Sequence, residues 1–60
     1  MSDQDAIAGA YDDTLKKLYT VLFDAYIAAK SDADKEQANQ RFKAGVALAR
    51  QVRDKAASLL

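Results

Sequence analysis

Lys30-Ser31-Asp32-Ala33-Asp34 decides the fold, because here a chain otherwise written as helix offers a way to stop and restart. Lys30 suits a helix C-terminus, where a cation meets the negative end of the helix dipole. Ser31 or Asp32 can cap a following helix by accepting a backbone N–H of its first turn, and Asp34 and Glu36 then sit where that dipole is positive. No glycine is present to end the first helix in a left-handed cap, so one continuous helix of nearly the whole chain stands as the alternative. The hairpin is the reading adopted: helix 1 over about residues 3–30, a turn at about 31–33 and helix 2 over about 34–59.

Both flanks of that break favour long helices. Proline is absent and thirteen residues are alanine, which removes the strongest helix breaker and supplies the best helix former. Ser2 is a good N-cap, with Asp5 three positions on where a capping box usually has Glu or Gln. From there Ile7, Tyr11, Leu15, Leu18, Leu22, Ala25 and Ala29 recur at the spacing of one helix face. Gly9 falls opposite that face at a cost of about 1 kcal/mol relative to Ala, so the first turns can fray and an alternative helix start lies near Ala10.

Helix 2 carries its own stripe, Ala38, Phe42, Gly45, Ala49, Val52, Ala56 and Leu59, in a 4-3 alternation dominated by small residues. Folding the chain at 31–32 pairs positions whose numbers sum to about 63, as in any short-looped αα-hairpin. Leu18 then meets Gly45, Tyr11 meets Val52 and Ile7 meets Ala56. Large side chains oppose small ones, which is how a close seam fills its space. The charges agree with this antiparallel pairing. Asp3, Asp5, Asp12 and Asp13 open helix 1, while Arg50, Arg53 and Lys55 close helix 2 beside them. Asp12–Lys16 and Asp13–Lys17 add i,i+4 pairs in the favourable order.

A second apolar stripe bears on function. Tyr19, Phe23 and Ile27 lie roughly 80–160° from the centre of the helix 1 seam, with Tyr26 on the flank. A lone hairpin leaves them in water, and contiguous apolar surface of this kind marks an interface. Leu48 and Leu59 flank the helix 2 seam and are the expected counterparts. Sixty residues make a single domain near the lower size limit for independent folding, and small chains of this kind lean on disulfides, metals or oligomerisation. Cysteine and histidine are both absent, which leaves oligomerisation. The expected architecture is therefore all-α, an antiparallel two-helix hairpin over residues 1–60 that assembles as a homodimer into a four-helix bundle.

Composition also excludes classes. Nine basic and nine acidic residues give zero net charge, which supplies no general attraction to nucleic acid or anionic lipid. The most apolar window, Val21 to Ala29, is too short to span a membrane and contains Asp24. Met1-Ser2-Asp3-Gln4-Asp5 lacks the basic and apolar blocks of a signal peptide, so the chain is expected to be soluble and cytoplasmic. No residue set suits acid–base or nucleophilic catalysis, and no glycine-rich phosphate loop is present, so no enzymatic activity and no cofactor are expected. Asp32-Ala33-Asp34-Lys35-Glu36 superficially matches the start of a calcium loop, but the sixth-position glycine is missing and Lys43 stands where the bidentate Glu belongs, so no metal is expected.

Length, hairpin layout and alternation of small and large core residues resemble the Rop-type plasmid-encoded RNA-binding regulators, which are dimeric four-helix bundles. The likeness covers architecture along most of the chain and rests on no shared motif. It implies an exposed aromatic with basic neighbours on helix 1, a role that Phe23 with Lys16, Tyr19 and Lys30 would fill, since aromatics stack on bases. Asp12 and Asp24 oppose phosphate there. The other basic surface, Arg41, Lys43, Arg50 and Arg53, is diluted by Asp54 and has no aromatic. The expected function is a small non-enzymatic interaction module acting as a homo-oligomeric bundle, its partner a copy of itself and secondarily another protein. A Rop-like RNA binder and a filament or assembly subunit are the alternatives.

Overall fold

The computed structural model describes residues 2–60, which form two helices and no strand. Helix α1 runs Asp3–Ala28 and α2 runs Asp32–Ser58, antiparallel along the hairpin. The break is real, and the continuous-helix alternative falls away. It also sits earlier than the sequence suggested, since Ala29, Lys30 and Ser31 are the residues outside helix.

Local chemistry explains the shift. Ser31, not Asp32, is the N-cap of α2, and its hydroxyl accepts the Asp34 backbone N–H at 3.2 Å. Asp34 in turn accepts the Lys30 N–H at 3.0 Å, so one carboxylate ties the loop to the first turn of α2. Helix α1 ends without a left-handed residue. Ala29 is extended (φ −66°, ψ 133°), and no described residue has positive φ. The missing glycine was therefore never needed. At the other end Ser2 and Asp5 form the reciprocal capping box, the Asp5 N–H reaching Ser2 Oγ at 3.2 Å and the Ser2 N–H reaching Asp5 Oδ2 at 3.4 Å. That box carries the helix from Asp3 straight through Gly9, so the later start near Ala10 does not occur.

The seam of α1 follows the sequence stripe: Ile7, Tyr11, Leu15, Leu18, Leu22, Ala25 and Ala29 are the residues withdrawn from solvent. Leu18 presses on Gly45 so closely that a Cβ built there would lie 2.7 Å from Leu18 Cδ2. On α2 the seam is Ala38, Phe42, Gly45, Ala49, Arg53 and Ala56, with Asn39 and Val46 along one edge. Ile7 and Ala56 are both half-buried near the open end, as their pairing requires.

Val52 and Leu59 depart from the sequence reading. Val52 is 58% exposed and Leu59 74%, and Arg53 takes the place given to Val52. A strict 4-3 repeat averages 3.5 residues per turn against 3.6 for a straight helix, so it rotates off the contact line by about 20° per heptad. Counted from Phe42 in the observed seam, Val52 lies roughly 80° away, whereas Arg53 lies within about 20°. The Arg53 guanidinium lies 4.5 Å from the centroid of the Tyr11 ring, and its stem covers the seam there. Tyr11 therefore packs against Arg53, not Val52.

The charge pairs also differ from expectation. Lys16 reaches Asp13 at 3.9 Å, an i,i+3 contact, in place of the anticipated Asp12–Lys16 and Asp13–Lys17 pairs. Arg50 and Arg53 turn to the Tyr11 hydroxyl and ring, leaving the acidic and basic helix ends apposed without a direct ion pair between helices among the described residues.

One layer of helices cannot enclose a core. The molecule measures 44 × 18 × 8 Å, and Ala38, 5% exposed, is the only described residue that is buried. Its radius of gyration is 14.1 Å, where a compact chain of this length has about 10 Å. Its accessible surface is 4820 Å², whereas a compact monomer of 6.6 kDa exposes about 3,900 Å².

Candidate association surface

The hairpin has two broad faces, and cross-helix contacts tell them apart. On the front, the Tyr26 hydroxyl donates to Asn39 Oδ1 and the Lys35 ammonium lies 5.9 Å from the centroid of the Tyr26 ring. The Arg50 Nε–H reaches the Tyr11 hydroxyl at 3.4 Å on the same side. Taking Tyr26 as origin, Tyr19, Asp12 and Phe23 fall within about 60° of it on α1. Taking Asn39 as origin, Lys43, Val46, Arg50 and Arg53 fall within about 40° of it on α2. The front thus pairs an aromatic strip on α1 with a basic strip on α2.

The aromatic strip is exposed. Tyr19, Leu22, Phe23 and Tyr26 line a shallow, almost wholly apolar hollow, with Phe23 56% exposed. Tyr26 is the best held of them, fixed by the Asn39 hydrogen bond and the Lys35 contact. Those partners were not singled out from sequence, although the pairing rule places Tyr26 opposite Gln37, midway between them. Ile27 stands roughly 100° from Tyr26, on the outer edge of α1 instead of in the hollow, and is 70% exposed.

On the back, Val21 of α1 and Arg41 of α2 share a groove with Leu18, Leu22, Ala38 and Phe42. Arg41, Leu48 and Val52 lie within about 40° of one another on α2, and the C-cap Leu59 continues their line. Leu48 and Leu59 therefore belong to a back ridge with Val52, and Val21 stands across from its Arg41 end. Both are exposed, but they do not share a face with Tyr19, Phe23 and Tyr26. The sequence makes them counterparts of the helix 1 stripe, and the fold sets the two groups on opposite faces. The sign of the angular offset from each seam decides this, and it acquires meaning only once the contacts fix which flanks adjoin.

The same division splits the basic residues. Lys43 and Arg50 are on the front, Arg41 is on the back, and Arg53 is committed to the Tyr11 ring and to Asp54 at 3.1 Å. They do not form one surface. Asp34, from the segment resembling a calcium loop, is engaged by the Lys30 backbone N–H. No helix is long and apolar enough to cross a membrane among the described residues. The seam residues Leu15, Ala49 and Ala56 are half-buried and present no functional group to a ligand.

Fold and surface define the class as an all-α helical hairpin with exposed apolar faces. No protein-family model matches the chain, and neither curated proteins nor solved structures give a match.

Proposed function

We propose that the chain is a small, non-enzymatic cytoplasmic interaction module that works as a homo-oligomeric helical bundle. The observation that carries the reading is the surplus of surface: about 900 Å² more than a compact monomer of this mass. A standard interface buries about 800 Å² per partner, so pairing two copies removes a surplus of that size. The exposed Tyr19, Phe23 and Tyr26 supply aromatic anchors of the type that dominate interface energetics. A second hairpin stacked on this face completes the two-layer arrangement that a hydrophobic core requires.

Thermal melting followed by circular dichroism tests the proposal. If association supports the fold, Tm rises as protein concentration is raised roughly a hundredfold, because a partner that binds only the folded state stabilises by mass action. A melt independent of concentration overturns it.

The back ridge favours one second reading. Leu48, Val52 and Leu59 give the hairpin apolar surface on both faces, and a subunit with two unlike contact faces can stack without closing. On that reading the chain is a filament or assembly subunit. RNA binding forms no part of the proposal, since the zero net charge and the divided basic residues offer no continuous phosphate track.

A further inference from the structure

We infer that the aromatic strip of α1 packs on the basic strip of α2 in a second copy, with both turns at the same end of the bundle. The inference rests on the association reading and adds the occupant's orientation to it. A two-fold axis can bring two front faces together in two ways. An axis parallel to the helices sets α1 over the second copy's α2, and every neighbouring pair is antiparallel. An axis perpendicular to the helices sets α1 over α1 and α2 over α2, with the turns at opposite ends.

Charge separates the two. The front of α2 presents Lys43 and Arg50; of the acids flanking it, Asp54 is paired with Arg53 at 3.1 Å, and Glu36, which accepts from Gln40 at 2.9 Å, lies about two turns from Lys43. Stacking α2 on its own copy over its full length brings Lys43 within about a turn of the second copy's Arg50, and like charges so placed across an interface disfavour it. Stacking α1 on the second copy's α2 at the level of the intramolecular pairing brings Asp12 opposite its Arg50 and Arg53. Asp12 has no ionic partner within the hairpin among the described residues, so it is available for that contact.

The same level sets Tyr19 opposite the second copy's Lys43 and Val46, and Phe23 between its Asn39 and Lys43. Aromatic rings against basic side chains are the contacts this sequence already makes between its own helices, Lys35 on Tyr26 and Arg53 on Tyr11. The dimer repeats between copies the chemistry that closes the hairpin.

The absence of cysteine makes the orientation measurable. Lys30→Cys places one thiol at the exposed apex of the turn, where the backbone N–H that Asp34 accepts is kept. With a nitroxide on that thiol, the distance between labels is read by pulsed electron resonance alongside the solution mass. Layers spaced 8–10 Å apart put the labels within about 25 Å of each other when the turns share an end. A dimer with that short distance is the expected result. A dimer with labels about 40 Å apart, near the 44 Å length of the hairpin, overturns the orientation and leaves association intact. Mass that grows with concentration overturns the closed dimer in favour of stacking through the back ridge. A monomeric mass with native helicity overturns association itself.

Discussion

Replacing Phe23 with lysine removes an anchor of association without adding a clash inside the hairpin. Phe23 is 56% exposed in the single hairpin, so of roughly 200 Å² on a phenylalanine about 110 Å² is left for a partner to cover. At about 25 cal/mol per Å² that is close to 3 kcal/mol per copy, or about 5–6 kcal/mol for a two-fold dimer in which the residue is used twice. With tenfold in affinity for each 1.4 kcal/mol, Phe23→Lys weakens dimerisation by about 10,000-fold. The new ammonium also faces the second copy's Lys43, which works in the same direction. Within the hairpin the change is benign, because the side chain points to solvent and lysine is the better helix former. Sedimentation equilibrium reads the association constant, and circular dichroism across the same concentrations should show helicity lost where the parent keeps it, and recovered only where the variant still associates. An association constant within tenfold of the parent refutes the assignment of the aromatic strip.

The remaining predictions concern the hairpin and its other face. Gly9→Ala meets nothing within 4 Å and should raise stability by about 1 kcal/mol in a denaturant melt, whereas Gly45→Ala meets Leu18 and should gain less or lose. Equal gains at both glycines contradict the close seam. Gly45→Leu should destabilise the hairpin by about 1–3 kcal/mol through overpacking, and a melt like the parent's would break the Leu18–Gly45 pairing. Ser31→Ala removes the cap on the Asp34 N–H and should cost about 1 kcal/mol, with an unchanged Tm counting against the turn geometry. Val52→Lys on the back ridge should leave a closed dimer unchanged in mass, and dissociation would show that the back is the true contact face.

Much of this was legible because two periodicities had to agree. Six positions on α1 and its C-cap Ala29 repeat at helical spacing, and the fold at Ser31 brings them against small residues, so the sequence alone sets Leu18 on Gly45. The error on α2 has a single geometric source. Extending a 3.5-residue repeat along a 3.6-residue helix accumulates rotation, harmless at Gly45 and Ala49 but enough to expel Val52 and Leu59 and admit Arg53. Arginine is the residue type a hydrophobic pattern skips, although its stem packs well on an aromatic ring. The front surface was half visible. Exposure of Tyr19, Phe23 and Ile27 follows from angle alone, but which α2 flank lies beside them depends on the hand of the packing, which a one-dimensional pattern does not carry. The placement of Leu48 and Leu59 on the opposite face is the consequence.

The central claim is that a single hairpin is an incomplete unit that a second copy completes. Solution mass by light scattering coupled to size exclusion, repeated across a dilution series with helicity followed in parallel, tests it most directly. The account predicts twice the chain mass at high concentration, falling towards the monomer on dilution together with a loss of helicity. A monomer at every concentration that keeps its full helicity would contradict it.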